Sequence, residues 1–134
     1  NLQELATVAR ERLPINIVLL DNQALGMVRQ WQELFFHERY SAVDLSDNPD
    51  FGLIAQAYRI PAMKLDARAD QERVLAEFLA IDGPAFLHVA IDQKANVWPL
   101  VPPNKSNTEM LDAPSPTASA GSHESKEFVH ALPT

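Results

Sequence analysis

The chain has 134 residues, 46% of them hydrophobic, which is enough for one domain with a real core. Its net charge of −7, with no basic cluster to neutralise phosphates, argues against nucleic acid or an anionic membrane surface as the main partner. The lack of cysteine excludes disulfides and thiolate metal sites and favours a cytoplasmic setting; no signal peptide is visible, and no apolar stretch approaches the roughly 18 to 20 residues of a membrane span.

The chain begins with Asn1 rather than Met and enters a helix almost at once, the pattern of a chain truncated at its amino end. Asn1 and Glu4 resemble a capping pair, and Leu2, Leu5, Ala6, Ala9 and Leu13 recur at helical spacing, predicting a helix over 2–12. Pro14 punctuates it. Residues 15–20 are then apolar except for Asn16, a run that predicts a parallel strand covered on both faces. A second helix is predicted over 24–36, with Leu25, Val28, Gln32 and Phe35 on one stripe and Met27, Trp31 and Leu34 on the next.

Beyond a polar stretch, Asn48-Pro49-Asp50 reads as N-cap, first helical residue and dipole-complementing acid of a helix to 59, with Phe51, Ile54, Ala57 and Tyr58 facing the core. Residues 60–65 make a short strand, 70–81 a helix with core positions Val74, Leu75, Phe78 and Leu79, Gly83-Pro84 its stop, and 85–91 a third strand. This alternation predicts βαβ units with right-handed crossovers, hence a three-layer α/β/α fold on a parallel sheet. From Asp112 the composition turns to Ala, Ser, Pro, Thr and Gly, so residues 1–111 are expected to form the domain and 112–134 a disordered tail.

The candidate site lies where the first strand ends. Asp21 and Asn22 fall at its carboxyl edge, where open α/β sheets bind ligands, and the following helix aims free N–H groups there. Asn22 offers an amide oxygen to a hard cation such as Mg²⁺, and a backbone carbonyl near Ala24 offers a second; the missing acid must come from elsewhere. On pattern alone, Asp-Asn after a strand is more often a turn or helix cap. Gly26 costs a helix about 1 kcal/mol against alanine, explained either by a ligand's close approach or by tight packing of helix on strand.

Met27 and Trp31, one turn apart, would make an adaptable apolar wall for a small substrate, although residues so spaced are more often core. His88 reads as a hydrogen-bonded core residue and His37 as part of a polar stretch. Asp44, Asp47 and Asp50 lack the glycine and terminal glutamate of a calcium loop and read as solvated loop and cap. No Ser-His-Asp order, Gly-rich phosphate loop or HExxH motif is present.

These residues sit in longer blocks: Val18-Leu19-Leu20-Asp21-Asn22-Gln23, Leu25-Gly26-Met27-Val28-Arg29-Gln30-Trp31-Gln32, Leu34-Phe35-Phe36, Arg39-Tyr40-Ser41, Asp47-Asn48-Pro49-Asp50-Phe51, Asp82-Gly83-Pro84 and Leu87-His88-Val89. Asn96-Val97-Trp98-Pro99-Leu100-Val101-Pro102-Pro103 and Asn107-Thr108-Glu109-Met110-Leu111 extend them. Over about residues 1–111 the chain resembles the large catalytic subunit of acetolactate (acetohydroxyacid) synthase, its bacterial isozyme II type most. The resemblance implies part of a thiamine diphosphate-binding domain that holds the diphosphate through Mg²⁺. It carries the metal role onto Asn22 and the Ala24 carbonyl, cofactor contacts onto Leu25, Gly26 and Met27 beside them, and the substrate channel onto Met27, Val28 and Trp31. In the family that tryptophan is associated with preference for 2-oxobutyrate.

The resemblance also says what is missing. The family's third metal ligand, a Gly-Asp-Gly aspartate, would lie before Asn1; its activating glutamate belongs to a neighbouring subunit's amino-terminal domain, and its FAD to a middle domain. No catalytic residue is therefore expected in this chain, which alone should not turn over substrate. Many relatives have Asn-Asn where this chain has Asp21-Asn22, a departure shared with isozyme II types that leaves the role of Asn22 intact. The intact parent is expected to decarboxylate pyruvate and join the two-carbon unit to pyruvate or 2-oxobutyrate, giving acetolactate or acetohydroxybutyrate for branched-chain amino acids. Its partners would be further large subunits and a small regulatory subunit. The alternatives are another thiamine diphosphate enzyme, of the glyoxylate carboligase or pyruvate oxidase type, and a non-enzymatic α/β binding module in which Asp21 and Asn22 merely cap.

Overall fold

The computed structural model describes residues 2–114, so the capping role of Asn1 and, of the expected tail, residues 115–134 lie outside the described residues. Leu5, Val8 and Ala9 recur at helical spacing and build α1 (Glu4–Arg10), whose Glu4 and Arg10 each complement the dipole at their own end. Pro14 then hands the chain to β1 (Asn16–Asp21). There follow α2 (Gly26–Phe35), α3 (Phe51–Ala57), β2 (Ala62–Leu65), a 3₁₀ turn (Arg68–Asp70), α4 (Gln71–Leu79) and β3 (Ala85–Ala90). Gly83 turns the chain from α4 towards β3 with φ +100°, a conformation that favours glycine.

All three strands run parallel in the order β1-β3-β2, so β3 is central. Ile17 and Leu19 of β1 lie beside Phe86 and His88, while Met63 and Leu65 of β2 lie beside Leu87 and Val89. Each sheet face has its own core. On one, Ala55, Ile60 and Phe86 are packed with Leu5, Val8, Ile17 and Leu19; on the other, Val74 and Phe78 of α4 press on Ala85 and Leu87, with Met63, Leu65 and Val89 around them. The three-layer α/β/α arrangement expected from the alternating pattern is the one formed. None of the described helices is long and apolar enough to cross a membrane.

Several local expectations are corrected. β1 is not covered on both faces: burial alternates along it, leaving Val18 49% and Leu20 63% exposed. β1 is an edge strand, and α4 presses on β2 and β3 rather than on it, so only its α1/α3 face is packed. α3 is capped by Asp50 rather than Asn48, because the Asp50 carboxylate accepts the Leu53 N–H at 2.9 Å, and the helix starts at Phe51, two residues later than expected. Ala55, not Ala57, is its buried alanine. On α4, Val74 and Phe78 go inside, whereas Leu75 and Leu79 stay exposed, since a nine-residue helix on a three-stranded sheet covers only a narrow stripe.

A second compact unit begins at Trp98. In its described part Leu100 and Leu111 form an antiparallel bridge, exchanging backbone hydrogen bonds of 2.9 and 2.7 Å. The intervening 3₁₀ turn (Asn107–Glu109) is closed by a capping box between Ser106 and Glu109.

Candidate functional site

Two side chains at the end of β1 shape the turn into α2. The Asp21 carboxylate accepts the Gln23 N–H at 2.9 Å, and the Asn22 amide oxygen accepts the Ala24 N–H at 3.2 Å, so successive Asx turns lead the chain off the sheet. Gln23 takes the left-handed φ of +53° that this path requires. A strip of chain at 43–45 pins the turn from outside: Leu25 N–H donates to the Val43 carbonyl and Leu45 N–H to the Gln23 carbonyl, both at 2.9 Å, around a bridge between Ala24 and Asp44. Ala24 is buried there.

The capping reading of Asn22 is thus realised, and it leaves donor capacity for more. An amide oxygen has two lone pairs, and the Ala24 N–H uses one. The Ala24 carbonyl accepts no hydrogen bond among the described residues. The amino end of α2 has no capping side chain, which leaves its first-turn N–H groups to an anion or to water. Gly26 stands at that end because a Cβ there would lie 2.7 Å from the Asn22 side-chain nitrogen: the missing side chain is what lets the carboxamide rest on the helix start.

Asp21 is committed elsewhere. Its second carboxylate oxygen is 3.0 Å from His88 Nε2, both side chains nearly buried, with the Phe51 ring edge-on to the imidazole. His88 is therefore hydrogen-bonded as expected, but it is partly buried and borders the strand-end basin rather than lying within the core. A polar basin of about 310 Å³ opens over the strand ends, lined by Asp21, Asn22, Lys64, Asp66 and His88 among others. Among the described residues no group of three or more His, Cys, Asp or Glu is placed to hold a metal ion. An ion here would draw on the two neutral oxygens of Asn22 and Ala24 and on donors beyond them, a set that suits Mg²⁺ with phosphate oxygens and leaves the octahedron incomplete without them.

The rest of α2 reverses what its apolar spacing predicts. Its buried side chains are Arg29 and Gln30, while Met27 is 49% exposed and Val28 and Leu25 nearly as much. Met27, Val28, Trp31, Gln32, Phe36 and Arg39 line a groove of about 550 Å³, and Trp31 sits edge-to-face on Phe35 with ring centroids 5.6 Å apart. The core reading fails for Met27, which is half exposed; Trp31 is partly buried and belongs to neither buried cluster, and both line the groove. Sequence reasoning missed Arg29, Gln30 and Asn96, which dock the helix; with Gln32 and Glu33 also polar in the same helix, no local signal marked Arg29 and Gln30 as the pair that turns inward.

A family model described as "Thiamine pyrophosphate enzyme, C-terminal TPP binding domain" matches residues 1–89. The chain belongs to this family. Among the relatives of this thiamine pyrophosphate enzyme domain is the acetolactate synthase isozyme 2 large subunit of Escherichia coli, 57% identical over 84% of the chain and 20% of the relative. The acetolactate synthase large subunit of Parasynechococcus marenigrum is 42% identical over 86% of the chain and 19% of its own length, and the mitochondrial acetolactate synthase of Schizosaccharomyces pombe 41% over 77% and 15%. The chain thus spans about a fifth of the length of the curated relatives it matches. Membership of a thiamine pyrophosphate enzyme domain family sets aside the non-enzymatic module.

Proposed function

We propose that the chain, over residues 1–111, contributes to the thiamine diphosphate site of a cytoplasmic acetolactate synthase. One observation supports this above the others: the turn after β1 sets the Asn22 amide oxygen and the open Ala24 carbonyl beside the uncapped amino end of the same helix that presents an apolar wall. When bound, the cofactor supplies the carbanion chemistry that decarboxylates one 2-oxoacid and joins its two-carbon unit to another. This chain's residues hold and aim. Asn22 and Ala24 would give two neutral oxygens to Mg²⁺, which would offset the diphosphate's charge without adding a competing anion. The first-turn N–H groups of α2 and its dipole would favour the remaining negative charge, and the resemblance assigns cofactor contacts to Leu25, Gly26 and Met27 at that helix start.

Met27, Val28 and Trp31 form the wall against which the second 2-oxoacid packs, keeping water from the reacting centre. A wall of this kind distinguishes 2-oxobutyrate from pyruvate by a single methylene, a difference worth roughly 1–3 kcal/mol. The reading includes a structural FAD, further large subunits and a small regulatory subunit in the intact parent; the words "large subunit" in the names of two relatives support the last.

The test is Asn22→Ala in the full-length protein, with acetolactate formation followed against Mg²⁺ concentration. Loss of one of the metal's protein ligands should raise the Mg²⁺ needed for half-maximal activity about tenfold or more, in the range seen for disturbed metal sites. An unchanged Mg²⁺ requirement removes Asn22 from the metal.

A further inference from the structure

α2 is fastened to the rest of its unit through polar side chains. Gln30, 1% exposed, donates from Nε2 to the Val97 carbonyl at 2.9 Å and accepts the Val97 N–H at Oε1 at 3.0 Å, so one carboxamide closes both backbone groups of one residue. Arg29 stands next to it. Its NH1 is 2.9 Å from Glu33 Oε2, which also accepts Asn96 Nδ2 at 3.2 Å, while its NH2 reaches Asn96 Oδ1 and the Lys94 carbonyl. The segment 94–97 follows central strand β3, and just past that strand the Ile91 N–H binds the Asp21 carbonyl at the end of β1. The clip therefore refers α2 to the same strand ends that carry Asp21 and Asn22.

A buried amide pair acts differently from an apolar stripe. Methyl groups tolerate small slides and rotations of one element over another, whereas paired hydrogen bonds weaken steeply with misalignment. Gln30 is the residue before Trp31 and three after Met27, so the rotation it imposes on the helix is the rotation of the wall. We propose that the Gln30–Val97 clip sets the position of the Met27 and Trp31 side chains, making Gln30 a positioning residue for the choice of second 2-oxoacid; this rests on the function proposed above. Gln30 lines neither the groove nor the polar basin. It acts through its neighbours.

The experiment uses the full-length protein with 2-oxobutyrate and pyruvate in competition, reading the ratio of acetohydroxybutyrate to acetolactate. Gln30→Glu keeps the acceptor for the Val97 N–H and loses the donor; Gln30→Met keeps the volume and loses both. The ratio should fall about threefold in the first and about tenfold in the second, a large part of what one methylene of discrimination provides, while the thiamine diphosphate and Mg²⁺ requirements move less than about twofold. A role confined to folding would lower Tm and total activity and leave the ratio alone, which overturns the inference. Because Gln30 acts through the wall, Gln30→Met combined with Trp31→Leu should give the ratio of Trp31→Leu alone; a further multiplicative fall also overturns it. Should Gln30→Met not fold, Gln30→Glu carries the same expectation and the same refutation. A wild-type protein that forms neither product refutes the proposed function instead, whereas one that forms both, with a ratio shifted by Trp31→Leu and by neither Gln30 variant, refutes this inference alone.

Discussion

α2 and α4 are similar in length and both are amphipathic, yet they turn opposite faces to the protein. α4 presses Val74 and Phe78 on the sheet and holds its charges outside, where Arg73 is flanked by Glu77 at 3.1 Å and Asp70 at 3.4 Å. α2 puts Arg29 and Gln30 inside and leaves Met27 and Val28 half in solvent. Burying an arginine is costly unless it is paired; Glu33 and Asn96 pair this one, although its Nε stays without a partner. The contrast teaches that amphipathic spacing does not fix which face is buried. α4 stabilises the fold by removing apolar surface from water, whereas α2 leaves its apolar surface outside the core and, under the function proposed above, open to a ligand.

The sharpest way to break that contrast is to truncate one large side chain on each helix. Phe78→Ala should cost about 3–5 kcal/mol in chemical denaturation, because it opens a cavity in a fully packed layer. Met27→Ala should cost less than about 1 kcal/mol, since half the side chain is already wet, while altering activity towards 2-oxoacids. Equal losses of stability would mean that α2 is a core helix after all.

A smaller effect tests how the site meets the helix. Gly26→Ala improves helix propensity by about 1 kcal/mol, but its Cβ must displace the Asn22 carboxamide. Stability should change by less than about 1 kcal/mol while the Mg²⁺ requirement rises several-fold. An unmoved requirement would separate the Asn22 carboxamide from the metal.

The smallest effect lies in the second unit. The Lys105 ammonium first, and then the Ser106 N–H and hydroxyl, hold the Glu109 carboxyl down to about 2. A carboxyl depressed on folding stabilises its turn fully above the ordinary carboxylate range and loses that contribution as pH falls through about 2. Carbon-detected NMR of the Glu109 carboxyl should show that low midpoint; a midpoint near about 4 would mean that the Lys105 pairing is not maintained in solution.

Much of the fold was legible because it rests on local periodicity. Every predicted helix and strand exists, in order, and the strand-end placement of Asp21 and Asn22 follows from the apolar run before them. The partner of His88 was not legible: Asp21 lies 67 residues away, and a lone histidine in a strand says only that something must bond it. The cap of α3 was misplaced because Asn48 and Asp50 are both good N-cap residues and the sequence does not say which carboxylate or amide finds the free N–H. The two-sided burial expected of β1 failed for a tertiary reason, since an apolar run records what a strand tolerates and not whether a layer covers it.

Sequence alone determined the alternating elements, the turn that sets Asn22 beside a helix start and the family to which the chain belongs. The three-dimensional arrangement decided which way α2 faces. Helical spacing marks where the apolar stripes run, but not whether they meet the sheet or the solvent. That choice was made by bonds to Asn96 and Val97, residues more than sixty positions distant, whose approach only the folding of β3 into the centre of the sheet brings about.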